Sequence, residues 1–205
     1  MSEIETASLA TLASLVTDKA TVNKDPSKPY VGLENIPSNG SALLDLGSAG
    51  YSISTNNVFK AGDILFGKLR PGLRKSVRVN FAGYCSTDVL VLRPNDSNNA
   101  AFVSFVLRSD QVFVQAVRTE EGTKMPRCSW KSIKDLCVFC PRSLQQRRIA
   151  EILSTVDEAI EQTEALIAKY QQIKAGLMHD LFTEDLPECP AQKGGVEWQP
   201  VAKRR

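Results

Sequence analysis

The chain has 205 residues, 42% hydrophobic and 23% charged, which suffices for one domain with a buried core plus one extended element. A net charge of +2 says little about partners, because the placement of cations decides what they bind. Five cysteines, an odd count, exclude a dense disulfide framework and fit reduced thiols. The acidic start before a short apolar run is the opposite of a signal peptide. No apolar stretch approaches the ~20 residues that a membrane span needs, so a soluble cytoplasmic protein without membrane contact is expected.

Up to Pro141 the chain alternates short β-like runs with turn residues. Tyr30–Ile36, Asp63–Leu69, Ser76–Phe81 and Thr87–Pro94 read as strands, from their β-branched and aromatic content and period-two patterning. Turns are expected at Ser38–Gly40, Lys60–Asp63, Arg70–Gly72 and Phe81–Tyr84, each carrying glycine. The apolar spacing of Asn99–Thr119 predicts one or two helices, and Ile133–Cys140 reads as a closing strand. Strands and helices mixed without βαβ alternation predict an α+β domain over residues 1–141, with a mixed or antiparallel sheet as its core.

After Pro141 the pattern becomes a single helix, from Ser143 to about Thr183, with no proline and one glycine, Gly176. Ser143 and Gln146 have capping-box spacing. Ile149, Val156, Tyr170 and Leu177 occupy heptad position a, with Thr163 the polar exception. Ile152, Ala159, Leu166 and Ile173 occupy d, and Leu153, Ile160, Ile167 and Leu181 widen the stripe at e. Some forty residues make a rod of roughly 60 Å. An apolar stripe of that length calls for a second helix or domain, so residues 142–183 are expected to form a coiled coil. The plainer alternative is a core helix of the same domain, but nothing earlier offers a helix of comparable length. Residues 184–205, with Pro187, Pro190, Gly194, Gly195 and Trp198, read as a flexible tail or docking strap.

No catalytic apparatus is legible. The one histidine, His179, suits a helix end better than a triad. Cys137 and Cys140 have CxxC spacing, yet a strand aims residues three apart to opposite faces, and no second pair stands at zinc-ribbon distance. There is no Walker loop and no GxGxxG. The Asn/Asp-Pro-Pro-Tyr/Phe tetrapeptide of adenine methyltransferases is also missing. The chain is therefore read as neither an enzyme nor a metal or cofactor binder. What stands out is clustered cation. Six basic residues between Lys60 and Asn80 face one acid, Asp63, and Lys68, Arg70, Arg74 and Lys75 fall on a loop between two expected strands. A second run, Lys124, Arg127, Lys131 and Lys134, follows the turn at Gly122. Lys suits phosphate contacts and Arg bidentate contacts to bases or phosphates, although a charge run more often only solvates a surface.

Several stretches together resemble the specificity subunits of type I restriction-modification systems. They are Tyr30-Val-Gly-Leu-Glu-Asn-Ile36, Lys60-Ala-Gly-Asp-Ile-Leu-Phe-Gly-Lys-Leu-Arg-Pro71 with Cys85-Ser-Thr87, and Gly122-Thr-Lys-Met-Pro126. The strongest is the junction Val138-Phe-Cys-Pro-Arg-Ser-Leu-Gln-Gln-Arg-Arg-Ile-Ala-Glu-Ile-Leu153, and Ala175–Thr183 resembles the same helix's end. The resemblance implies a DNA target-recognition domain and a spacer helix in a non-catalytic subunit. That subunit directs adenine methyltransferase and motor nuclease subunits to a bipartite site in double-stranded DNA. S-adenosylmethionine, ATP and magnesium then belong to the partner subunits. The family usually carries two domains and two antiparallel helices, whereas this chain has one of each and resembles a half-subunit. It is therefore expected to pair with a second copy through its helix. Because the family's base-reading residues vary, only the regions Lys68–Lys75 and Gly122–Arg127 carry over as DNA contacts. A stand-alone dimeric DNA-binding regulator is the alternative, and an enzyme with an unrecognised site a more remote one.

Overall fold

The computed structural model describes residues 5–21, 29–38, 42–44, 46–48 and 55–183. The tail at 184–205, with Trp198, and part of the Ser38–Gly40 turn lie outside the described residues. The chain divides into two compact units, Met1–Glu158 and Ala159–Arg205.

The first unit is α+β and is built in layers around a four-stranded antiparallel sheet. In chain order its opening elements are β1 (Thr6–Ser8), α1 (Leu9–Leu12), β2 (Ala13–Val16), β3 (Lys19–Thr21), β4 (Pro29–Val31), β5 (Gly47–Ser48), β6 (Thr55–Phe59) and β7 (Ile64–Gly67). There follow β8 (Ser76–Arg78), β9 (Gly83–Cys85), β10 (Val89–Pro94), α2 (Ala100–Arg108), α3 (Asp110–Arg118), α4 (Trp130–Ile133), β11 (Cys137–Phe139) and α5 (Ser143–Thr183). The central sheet has the order β2-β10-β7-β8. Successive side chains on a strand face opposite ways, and both faces here are covered. Ile64 and Phe66 of β7 and Leu92 of β10 pack with helical residues such as Phe102, Leu107, Val112 and Ile133. Leu65, Val89 and Val91 point the other way, into a second core with Val31, Phe59, Val77 and Cys85. Burial on both faces explains why Ile64–Gly67 is a continuous apolar run instead of an alternating one. Each large side chain removed from water contributes about 1.5–3 kcal/mol.

The second core is closed by a mixed sheet, β3-β6-β9-β4-β5, in which β4 and β9 run parallel. Asn57 ties the two sheets together by donating its side-chain amide to the Val89 carbonyl at 2.9 Å. Here the sequence expectations need correcting. The strand expected over Tyr30–Ile36 ends at Val31, because the Asn35 side chain accepts the Gly32 N–H at 2.7 Å and folds Leu33–Asn35 into a 3₁₀ turn. Phe81–Tyr84 is not simply a turn. Gly83 opens β9, and a Cβ there would lie 2.6 Å from the Pro29 carbonyl oxygen, so this glycine serves close strand approach. The strand expected over Ile133–Cys140 shrinks to β11. Its start is taken by α4, which is capped by reciprocal Ser129 and Ser132 bonds. Strands β1, β2, β3 and β6 were not expected.

Asn99–Thr119 folds as two helices broken at Ser109, whose backbone is extended. Asn99 caps α2 by accepting the Phe102 N–H at 3.0 Å. Helix α5 starts at Ser143, as its sequence predicts, but Gln146 does not complete a capping box. It is 2% exposed and binds the Pro141 carbonyl, the Asn98 side chain and the Asn99 N–H, fastening the helix start to the cap of α2. Arg108 and Asp157, 2.5 Å apart, join α2 to α5 further along. Among the described residues no single helix is long and apolar enough to cross a membrane. The pair α2 and α3 passes that test only jointly, is bent by 53°, and has its apolar side chains in the core.

Candidate nucleic-acid interface

The structure brings the two basic segments singled out in the sequence onto one surface. The 68–75 loop links β7 to β8 and contains a 3₁₀ turn, Pro71–Leu73. The 121–127 segment turns back on itself at Gly122, whose φ of +96° suits only glycine well, and reciprocal 2.9 Å backbone bonds between Glu121 and Arg127 close it. The two loops are stitched together. Arg70 donates its N–H to the Pro126 carbonyl at 2.8 Å, and Cys128 donates to the Lys68 carbonyl at 2.9 Å. Lys68 and Arg70 thus share one surface with Lys124 and Arg127.

The remaining two candidates of the first loop have duties inside the fold. Arg74 pairs with Asp110 of α3, and its guanidinium lies 5.2 Å from the centre of the Phe113 ring. Lys75 donates its ammonium to the Leu33 carbonyl at 2.8 Å. Arg127 is intermediate: its Nε bonds Asp88 at 2.9 Å while its side chain stays 42% exposed. Arg70 and Arg74 are also the non-glycine residues with positive φ among those described, at +49° and +55°. Such backbone costs about 1–3 kcal/mol per residue and persists only where surrounding bonds enforce it.

Beside this rim lies a cleft of about 650 Å³. Lys68, Arg127, Lys131 and Lys134 face it against one acid, Glu121, while Leu15, Leu90 and Trp130 give it apolar walls. A neighbouring hollow of about 410 Å³ shares Leu15, Lys68 and Leu90 and adds Lys19, Asn57 and Thr87. Lys131 and Lys134 were visible in the sequence as a basic run. Lys19 and Trp130 carried no signal there, since only the pairing of β3 with β6, which sets Lys19 opposite Asn57, and the placement of α4 bring them in. Cys128 in the wall is no nucleophile: burial pushes its thiol up to about 11. Burial, with Asp63 adding to it, pushes Cys85 up to about 12. Cys137 is exposed and Cys140 half-buried, and the four described cysteines are free. Among the described residues no three His, Cys, Asp or Glu gather as metal ligands.

Along α5 the expected partner stripe divides. Ile149 is half-buried and packs against the core of its own unit. Ile152, Val156, Leu166, Tyr170, Ile173 and Leu177 are between 46% and 66% exposed, and Ala159 is exposed as well. Thr163, the polar exception in that stripe, donates its hydroxyl to the Ala159 carbonyl at 2.7 Å, so it asks nothing of a partner.

An α+β scaffold with a cationic cleft and a helix bearing an exposed apolar stripe has the layout of a recognition module. Residues 9–172 match the type I restriction modification DNA specificity domain, and the chain belongs to that family. It is 26% identical over 132 residues to the HindI specificity subunit of Haemophilus influenzae, covering 61% of this chain and 28% of that one. With the EcoDI specificity subunit of Escherichia coli it shares 23% identity over 137 residues, 65% of this chain and 30% of the other. The fold matches the HsdS subunit of Thermoanaerobacter tengcongensis with a TM-score of 0.65 and 23% identity, over 91% of this chain and 50% of that one. The chain spans about half the length of that solved subunit and under a third of the two curated relatives.

Proposed function

We propose that this chain reads DNA sequence for a type I restriction-modification complex, directing adenine methyltransferase and motor nuclease subunits to a bipartite target while catalysing neither reaction. The observation that carries the reading is the cationic surface on which Lys68, Arg127, Lys131 and Lys134 converge from three separate segments. Phosphate contacts from lysines position a protein on duplex DNA, and base contacts then give specificity. The exposed apolar stripe of α5 supports a second part of the proposal: two copies pair antiparallel through this helix, so that two identical domains read inverted half-sites. A stripe of that extent left in water marks an interface, and a closed two-fold pair is the commonest way for one chain to bury it.

Titration of the full chain with fluorescent duplex DNA across a salt series tests the first part. Each lost phosphate contact lowers the log–log salt slope by roughly 0.9, so Lys131→Ala combined with Lys134→Ala should reduce it by nearly twice that. Binding that ignores both salt and these substitutions overturns the reading. Methyl transfer by the chain free of any partner, with S-adenosylmethionine supplied, overturns its non-catalytic part.

A further inference from the structure

We propose that Arg70 is the specificity-determining residue of this site and that it reads the O6/N7 edge of a guanine in the major groove. The inference rests on the DNA-reading function proposed above. Three observations lead to it.

The first is the division of labour among the loop cations. Arg74 is held by Asp110 and Phe113, Lys75 by the Leu33 carbonyl and Arg127 by Asp88. The Arg70 side chain is exposed and meets no partner among the described residues.

The second is the pedestal. Arg70 stands in the left-handed region at φ +49°, its N–H bonded to the Pro126 carbonyl at 2.8 Å and its own carbonyl accepting the Leu73 N–H at 2.9 Å. Pro71, which follows it, is buried, and the far end of the turn is pinned by Arg74, a positioning residue. A residue that only attracts phosphate gains nothing from so constrained a backbone, since a flexible lysine serves as well. A planar guanidinium that must meet two acceptors at once gains a great deal.

The third is the company Arg70 keeps. Leu73 on the same turn and Met125, next to Pro126, are 42% and 48% exposed. Exposed apolar side chains flanking one arginine do not suit the phosphate backbone. They do suit the floor of the major groove, where guanine offers two acceptors to an arginine and thymine offers its methyl group to apolar contact. The lysines of the cleft, point charges on long stems, are left to follow the backbone.

The test selects bound sequences from a random duplex library with the full chain, then titrates the recovered site and a scrambled duplex. With Arg70→Ala, preference at one G·C pair should disappear and affinity for the recovered site should fall about 5- to 150-fold, the worth of one bidentate base contact. Affinity for the scrambled duplex should stay within the effect of a single phosphate contact. Arg70→Lys keeps the charge but not the planar fork, so it should weaken the guanine preference while binding scrambled DNA as the wild type does. Lys131→Ala should recover the wild-type motif and weaken both duplexes alike. The inference is overturned if either Arg70 variant recovers the wild-type motif undiminished, or if Arg70→Ala weakens both duplexes equally. A wild-type chain that recovers no motif overturns the proposed function itself, and this inference with it.

Discussion

The residue types that vanish into the first unit stand in water on the second. In the unit ending at Glu158, Phe59, Ile64, Phe66 and Leu107 are all 0% exposed, whereas on α5 Leu166, Tyr170, Ile173 and Leu177 range from 46% to 62%. What differs is the period of the pattern and the availability of a covering layer. The strands turn alternate residues to two sides, and this chain supplies a layer for each side, helices for one and a second sheet for the other. The stripe on α5 repeats every 3.5 residues, the period that a partner helix follows, and among the described residues nothing covers it. The strands of the first unit find their cover within the chain, while the α5 stripe from Ile152 onward finds none among the described residues.

Four experiments break or sharpen that contrast, taken in order of their cost to the first unit. Asp63 is 1% exposed, holds Arg93 through two 2.7 Å bonds and accepts the Lys60 N–H at 2.8 Å. Asp63→Ala should cost about 3 kcal/mol in thermal melts, the low end for a broken buried pair because Arg93 stays partly hydrated. Gln146→Ala leaves the Asn99 N–H and the Pro141 carbonyl unmet and should cost about 2 kcal/mol in urea titrations.

Raising the pH comes third. The folded thiols of Cys85 and Cys128 sit at about 12 and 11 against an ordinary 9.0, because burial disfavours the thiolate. Their contribution is therefore complete below pH 9 and is lost as the pH climbs through 11 and 12. Going from pH 7.5 to 9.5 should lower stability by on the order of 1 kcal/mol, and the decline should shrink in the Cys85→Ala, Cys128→Ala double variant. The smallest cost belongs to Ile152→Asp with Leu166→Asp. Both positions are exposed on the single chain, so the first unit's own packing should lose no more than about 0.5 kcal/mol, while sedimentation changes from dimer to monomer. A wild-type chain that sediments as a monomer at micromolar concentration ends the pairing proposal.

Legibility in the sequence followed the same divide. Helix α5 announced itself because a long unbroken period needs no tertiary information, and its first residue is where the pattern places it. In the first unit the strongly apolar strands β7 and β10 were readable. Strand β6, Thr55–Phe59, was not, since its Asn56 is buried and its Asn57 works as a bridge between sheets. The basic loops were visible as charge, but sequence alone ranked Arg74 and Lys75 equally with Arg70. Their internal partners, Asp110 and the Leu33 carbonyl, lie 36 and 42 residues away along the chain. Sequence distance hides such partners.

The two-stranded pairing of β1 with β11 has one more implication. Thr6 lies opposite Phe139, the Cys140 N–H bonds the Glu5 carbonyl at 2.9 Å, and Arg142 reaches the Glu5 carboxylate at 3.2 Å. The polypeptide therefore enters and leaves the domain at the same doorway. A module with adjoining ends can be excised from one gene and spliced into another through two neighbouring junctions, without rethreading what lies between. Everything that handles DNA in the proposed function lies between those junctions, so recombination there would exchange one sequence preference for another as a single cassette.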